Sequence, residues 1–173
     1  FDWANNGDTV YDPSGNMWAP DVVYNKELGK WTMYMSINGC SWNSSIVMLT
    51  ANSLDGDWTY VGPVVYSGFT ASGTYALSGT DFEKATGSTT LDARYTMSAY
   101  TCKDGNTACA STTWNRRYGA HAIDPCVFYD DNGNLYMTYG SWSGGIYILE
   151  LDENTGLRDY TKKYDYTANT SDP

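Results

Sequence analysis

Basic residues are scarce in this chain: 10 Lys and Arg stand against 20 Asp and Glu, with a single His, for a formal net charge of -10. That balance argues against nucleic acid or an anionic membrane as partner, because both need clustered cations to neutralise phosphate. Long apolar runs are missing too. No segment approaches the roughly 18 to 20 apolar residues of a membrane-spanning helix, and the first residues carry no charged-then-apolar export signal. The chain begins at Phe1, so any leader is expected to have been removed or to lie outside this sequence; its compartment stays open, with secretion or the periplasm compatible. The four cysteines, Cys40, Cys102, Cys109 and Cys126, allow three pairings if all are oxidised. Cys102 and Cys109 flank the turn-rich "KDGNTA", where a local loop staple is expected, whereas Cys40 and Cys126 read as small buried residues. No cysteine spacing resembles a zinc site, and the lone His121 cannot make one.

Aromatic residues are abundant instead. They make up 16% of the chain, with 16 Tyr and 7 Trp, more than a core of this size requires. Tyr and Trp join a flat apolar face to a polar edge, which suits sugar rings that show C–H groups on one side and hydroxyls around the rim. A neutral, carbohydrate-like partner fits this surface better than an anionic one.

Two segments share one plan, which predicts an all-β fold. "DVVYNKELGKWTMYMS" (21–36) reads as a hairpin and "SIVMLTANSLDGDWTYVG" (45–62) adds two strands. "VFYDDNGNLYMTYGS" (127–141) repeats the hairpin and "GIYILELDENTGLRDY" (145–160) repeats the second pair of strands, with Ile46–Gly56 aligned on Ile146–Gly156 without a gap. Apolar and polar residues alternate within the runs, and Asn, Asp, Gly and Lys occupy the turns. Each unit is therefore expected to be a four-stranded antiparallel meander, which cannot bury both faces alone and must stack radially as a propeller blade or face to face as a sandwich. The spacing favours propeller blades at 18–67 and 121–173. Residues 68–120, rich in Gly, Ser, Thr and Ala, break the period and read as an insertion between blades with a hairpin of its own; "LDARYTMSAY" is its clearest strand and "GTDFEKATG" a short helical turn.

The starts of the two units carry a family resemblance. "MWAPDVVYN", "YMSINGCSWNSSI" and "AIDPCVFYDDNGNLYMTYGSWSGGIYILELDENTGL" together resemble glycoside hydrolase family 43, and within it the endo-1,5-α-L-arabinanases. The resemblance runs across almost the whole chain and implies part of a five-bladed β-propeller, roughly two to three blades, with the active site at the axis. It also implies hydrolysis of α-1,5-linked L-arabinan with inversion, by a general-base Asp, a general-acid Glu and a third Asp that orients the acid and raises its pKa. Asp124, in Ala-Ile-Asp-Pro, matches the third carboxylate; on its own it reads equally well as a turn residue capping nearby amides. Asp21, in Trp-Ala-Pro-Asp, is not assigned as the base.

Around Asp124, Trp18, Trp42 and Trp142 are candidate platforms for arabinose units, each with core packing or loop anchoring as the plainer alternative. Ser141 and Ser143 are candidate donors to sugar hydroxyls, and Gly144-Gly145 is expected to leave room for a ligand. His121 stands where arabinanases usually have Asn, and is a candidate donor to a carboxylate or sugar. The base and the acid implied by the family are expected outside the chain, so this chain alone reads as incomplete, needing further propeller segments or another chain to cover its blade faces. No metal ligand or cofactor is assigned to this chain; the family implies an axial ion, such as Ca2+, in a complete propeller. Arabinofuranosidase or β-xylosidase action within the same family is the alternative, as is a non-catalytic carbohydrate-binding fragment.

Overall fold

The computed structural model describes residues 16–39, 43–69, 78–89, 119–141 and 144–162. The first alternating segment forms β1 (Met17–Asn25), β2 (Lys30–Asn38), β3 (Ser44–Ala51) and β4 (Thr59–Ser67), paired antiparallel in chain order. The β1–β2 turn closes because the Asn25 side chain accepts the Leu28 amide at 2.9 Å and Gly29 supplies the positive φ of 63° that an L side chain resists. The second segment forms β5 (Cys126–Tyr129), β6 (Leu135–Gly140) and β7 (Ile146–Leu151), again in chain order. Its hairpin turn is held by the Asp130 carboxylate, which accepts the amides of Asn132 and Asn134, both at 2.9 Å. A bridge from Leu151 to Arg158 marks where the chain turns back; by the repeat, the counterpart of β4 begins near Asp159 and runs into residues outside those described.

Between the sheets a short helix, α1 (Asp81–Thr86), occupies the expected "GTDFEKATG" turn and ends at Gly87 with φ 72°. Asp81 ties it to both sheets, accepting the Tyr66 amide at 3.0 Å and pairing with Arg158 at 2.6 Å. Burial pushes the Asp81 carboxyl up to about 6, against the pull of the Arg158 guanidinium. The strand expected in "LDARYTMSAY", the Cys102–Cys109 staple and Cys40 lie outside the described residues. Cys126 corrects its expectation: it is an exposed free thiol, because strand alternation turns Val127 into the core and leaves Cys126 and Phe128 on the outer face.

The core lies between the sheets. Tyr34, Ile46, Met48, Val64 and Val65 of the first sheet pack against Val127, Leu135, Met137, Leu149 and Leu151 of the second, with Ala122 beside them. Each large side chain buried there contributes roughly 1.5–3 kcal/mol of transfer free energy. The Tyr34 hydroxyl donates to the Gly156 carbonyl at 2.7 Å, and Gly156 sits so close that an added Cβ would lie 2.8 Å from the Met48 sulfur.

The two sheets meet by different faces. In β3 the buried pair is Ile46 and Met48; their counterparts in β7, Ile146 and Ile148, are 73% and 59% exposed, while Leu149 and Leu151 fill the core. On the opposite face of the first sheet, Ile37 and Val47 form a second apolar cluster with Met35 and Leu49. One face of the first unit thus receives the other face of the second, and the sheets approach most closely at their first strands, β1 and β5. Among the described residues no helix is long and apolar enough to cross a membrane.

Candidate functional site

Three non-glycine residues among those described adopt positive φ: Ala19 at 48°, Asp124 at 52° and Ser141 at 83°. A left-handed backbone costs an L residue on the order of 1–3 kcal/mol and persists only where the surroundings impose it. Ala19 lies in the bulge between Trp18 and Asp21 where β1 slips register against β2. Asp124 precedes β5, and Ser141 follows β6.

Hydrogen bonds join these three places. The Ser141 hydroxyl donates to Asp124 Oδ2 at 3.1 Å, and the Asp124 amide donates to Ser36 Oγ at 3.0 Å. Ser36 is the cross-strand partner of Trp18. Asp21 Oδ2 accepts the amide of Val127 on β5 at 2.5 Å, and Oδ1 accepts that of Val22 at 3.0 Å. The two aspartates therefore differ in what they offer. Asp21 spends both oxygens on backbone amides, whereas Asp124 is exposed and, among the described residues, nothing bonds to its Oδ1.

The turn carrying Asp124 rests on the end of the first sheet through three buried serines, one from each of three strands. Ser36 on β2 takes the Asp124 amide, Ser67 on β4 takes the Ala122 amide at 3.0 Å, and Ser44 on β3 meets His121 Nε2 at 2.9 Å. All three serines are all but sealed from solvent. From the other side, the Gly140 amide donates to the Ile123 carbonyl at 2.9 Å. The turn is thus fixed at four residues by both sheets, which fits a carboxylate whose direction matters more than its freedom.

Trp18, Asp124 and Ser141 come together as the sequence suggests, and Trp18 is 56% exposed, available as a platform. His121 is placed beneath the turn rather than at its surface: it is buried, and burial pushes its imidazole down to about 4, so it is neutral near pH 7. Trp42, Trp142 and Ser143 lie outside the described residues. Gly145 does face open space, but Gly144 does not. An added Cβ at Gly144 would collide with the Gly119 carbonyl, so this glycine serves a close backbone approach. Sequence reasoning passes over the three serines and the Asp21 contact. The available signal is a serine standing in an inward position of a strand, as Ser36 does after Tyr34 in "MYMSIN". Among the described residues no group of three or more His, Cys, Asp or Glu could hold a metal ion.

No family model matches the chain. Among curated proteins it is similar to an extracellular endo-α-(1→5)-L-arabinanase of Thermotoga petrophila, 32% identical over 142 residues, which cover 82% of this chain and 24% of the relative. The crystal structure of endo-1,5-α-L-arabinanase from that organism superposes with a TM-score of 0.54 at 31% identity, over 82% of this chain and 25% of that one. A family 43 glycoside hydrolase of Bacillus licheniformis superposes with a TM-score of 0.52 at 29% identity, over 82% of this chain and 24% of that one. The chain therefore spans about a quarter of the length of these relatives.

Proposed function

The chain belongs to glycoside hydrolase family 43, among the endo-1,5-α-L-arabinanases, and from that premise we propose that its two sheets are blades of a propeller that hydrolyses α-1,5-linked L-arabinan with inversion. The observation that carries this reading is Asp124, an exposed carboxylate on a left-handed turn, aimed by Ser141 and anchored on Ser36. Its place supports the reading as well: it stands where β5 begins, and β5 and β1 are the neighbouring first strands of sheets stacked head to tail. Repeated around an axis, that head-to-tail contact closes into a ring, whereas a sandwich of two such units joined about a two-fold axis would use the same face twice. The exposed Ile146 and Ile148 are then the face on which a further blade packs.

In direct displacement a base removes a proton from water as it attacks the anomeric carbon, and an acid protonates the departing glycosidic oxygen; the two carboxyls stand about 6.5–9.5 Å apart to admit the water. Asp124 takes neither part. Its negative charge near the acid makes that group's ionised form costly, so the acid still holds its proton near neutral pH, and its fixed direction orients the acid. Base and acid are assigned to no residue of this chain, and neither is an axial metal. Trp18 offers a stacking face to an arabinose ring, and Ser141, already donating to Asp124, lies within the same mouth. The relative in Thermotoga petrophila is named extracellular, and action outside the cell on a plant-wall polymer suits the acidic, aromatic surface.

Turnover of debranched arabinan by the protein and by its Asp124→Asn variant tests this. The expected result is release of arabino-oligosaccharides of inverted anomeric configuration, reduced about 100-fold or more by the substitution. Binding of arabinan without turnover by the unsubstituted protein would favour a carbohydrate-binding role, and turnover indifferent to Asp124→Asn would overturn the site.

A further inference from the structure

We propose that Asp21 is a positioning residue for Asp124, a proposal that rests on the glycosidase reading above. Its carboxylate bridges the two sheets at the point where the strained turn enters β5. Oδ2 accepts the Val127 amide at 2.5 Å, across 106 residues of chain, while Oδ1 accepts the neighbouring Val22 amide. A charged acceptor makes these bonds shorter and stronger than neutral ones. Val127 is three residues beyond Asp124, with Pro125 and Cys126 between them. Pro125 has no amide hydrogen and a fixed φ, so the turn passes almost rigidly from Asp124 to the residue that Asp21 holds.

The other end of the same arrangement is equally constrained. The bulge that frees Asp21 to reach β5 also puts Ala19 at φ 48° and sets Trp18 across from Ser36, and Ser36 holds the Asp124 amide. Two strained segments, 18–21 on β1 and 124–127 at the start of β5, are thus locked to each other by two bonds, Ser36 to Asp124 and Asp21 to Val127. Left-handed turns at non-glycine residues relax when their restraints go. Removing the Asp21 carboxylate therefore frees Asp124 to swing from its direction while the main core between the sheets, several strands away, stays packed. A displacement of about an ångström in a group that orients an acid is enough to lower a rate on the order of 100-fold.

The role differs from that of a general base in a way that one substitution exposes. Asparagine keeps a carbonyl oxygen that accepts an amide hydrogen, so Asp21→Asn preserves the bridge in weaker form, whereas it abolishes proton transfer completely. Two readouts apply to Asp21→Ala and Asp21→Asn: amide hydrogen exchange at Val127, at Asp124 and in the β2–β3 core, and kcat and KM on debranched arabinan across pH. For Asp21→Ala, exchange at Val127 and Asp124 is expected to quicken about tenfold or more with β2–β3 amides unchanged, and kcat to fall roughly 10- to 100-fold with little change in KM. Asp21→Asn should recover most of both losses with the limbs of the pH profile in place. Equal loss in both variants together with disappearance of the acid limb would make Asp21 the base and overturn the proposal. So would unaltered exchange at Val127, or a uniform acceleration through both sheets. If the unsubstituted protein turns over no arabinan, the glycosidase reading fails, and with it the catalytic meaning of the bridge; the exchange data then still decide whether Asp21 holds the Asp124 turn.

Discussion

β3 and β7 occupy the same place in a repeated unit and align without a gap from an isoleucine to a glycine, yet their environments are opposite. β3 is buried along nearly its whole length, whereas β7 buries Leu149 and Leu151 and leaves Ile146 and Ile148 in solvent. The difference comes from position in the stack. The first sheet has its Ile46 face covered by the second sheet and carries a further apolar cluster around Ile37 and Val47 on the other; among the described residues, the second sheet has only one face covered. An apolar strand face is a property of the repeat, and what covers it is a property of the neighbour.

That contrast is broken most directly by truncating the equivalent isoleucines. Ile46→Ala removes a side chain with no exposed surface from the inter-sheet core, and is expected to cost roughly 2–5 kcal/mol. Ile146→Ala, at 73% exposure, should stay within about 0.5 kcal/mol. Urea midpoints of the two variants decide it: similar losses would mean that a partner covers β7 in solution, and the comparison would fail.

The turns after the two strands sharpen the same point at a smaller scale. Gly156 combines φ 72° with Tyr34 and Met48 pressed against it, while Gly56 needs no positive φ and would meet first the hydroxyl of Ser53 at 2.8 Å. Gly156→Ala should therefore cost about 1–3 kcal/mol through backbone strain and overpacking. Gly56→Ala should cost less than about 1 kcal/mol, because a serine hydroxyl can rotate away. Thermal unfolding of both variants in one buffer checks the ranking, and a larger loss at Gly56 would contradict the assignment of the inter-sheet contact to Gly156.

Much of this is legible in the sequence, and the limits have physical causes. Alternation and turn residues are local, so the two meanders, the Asn25–Gly29 and Asp130–Asn134 turns and the helical turn at Asp81 can be read from neighbouring residues. The gapless match of Ile46–Gly56 with Ile146–Gly156 reveals the repeat. Alternation does not say which face a neighbour covers, and so Cys126 reads as buried when it is exposed. Nor does it show a polar residue's partner a hundred or so residues away: Ser36, Ser44 and Ser67 look like ordinary strand serines, and Asp21 like the end of a motif, until the second sheet brings residues 121, 122, 124 and 127 against them. Asp124 stands out in the sequence only through resemblance; the strain and hydrogen bonds that set it apart are visible only in three dimensions.

The smallest expected effect compares two buried titratable groups that respond to pH in opposite senses. His121, beneath the Asp124 turn, is pushed from an ordinary 6.5 down to about 4 by burial. The unfolded chain therefore binds the proton first, and the stability linked to His121 is present above pH 6.5 and lost as pH falls toward 4, by at most about 1.4 kcal/mol per pH unit. Asp81, held between the Tyr66 amide and Arg158, with the Tyr160 ring near that guanidinium, is pushed from 3.8 up to about 6, mainly by burial. The folded chain now binds the proton first, so the stability linked to Asp81 is present below pH 3.8 and lost as pH rises through 6. Between about pH 4 and 6 the two contributions oppose each other and flatten the profile of the unsubstituted chain. His121→Asn should leave Asp81 acting alone, with stability falling as pH rises across that window relative to the unsubstituted chain; Asp81→Asn should leave His121 alone, with stability rising. Denaturant titrations at closely spaced pH steps measure the slopes, and parallel profiles for the two variants would show that neither group is desolvated as the inter-sheet packing requires.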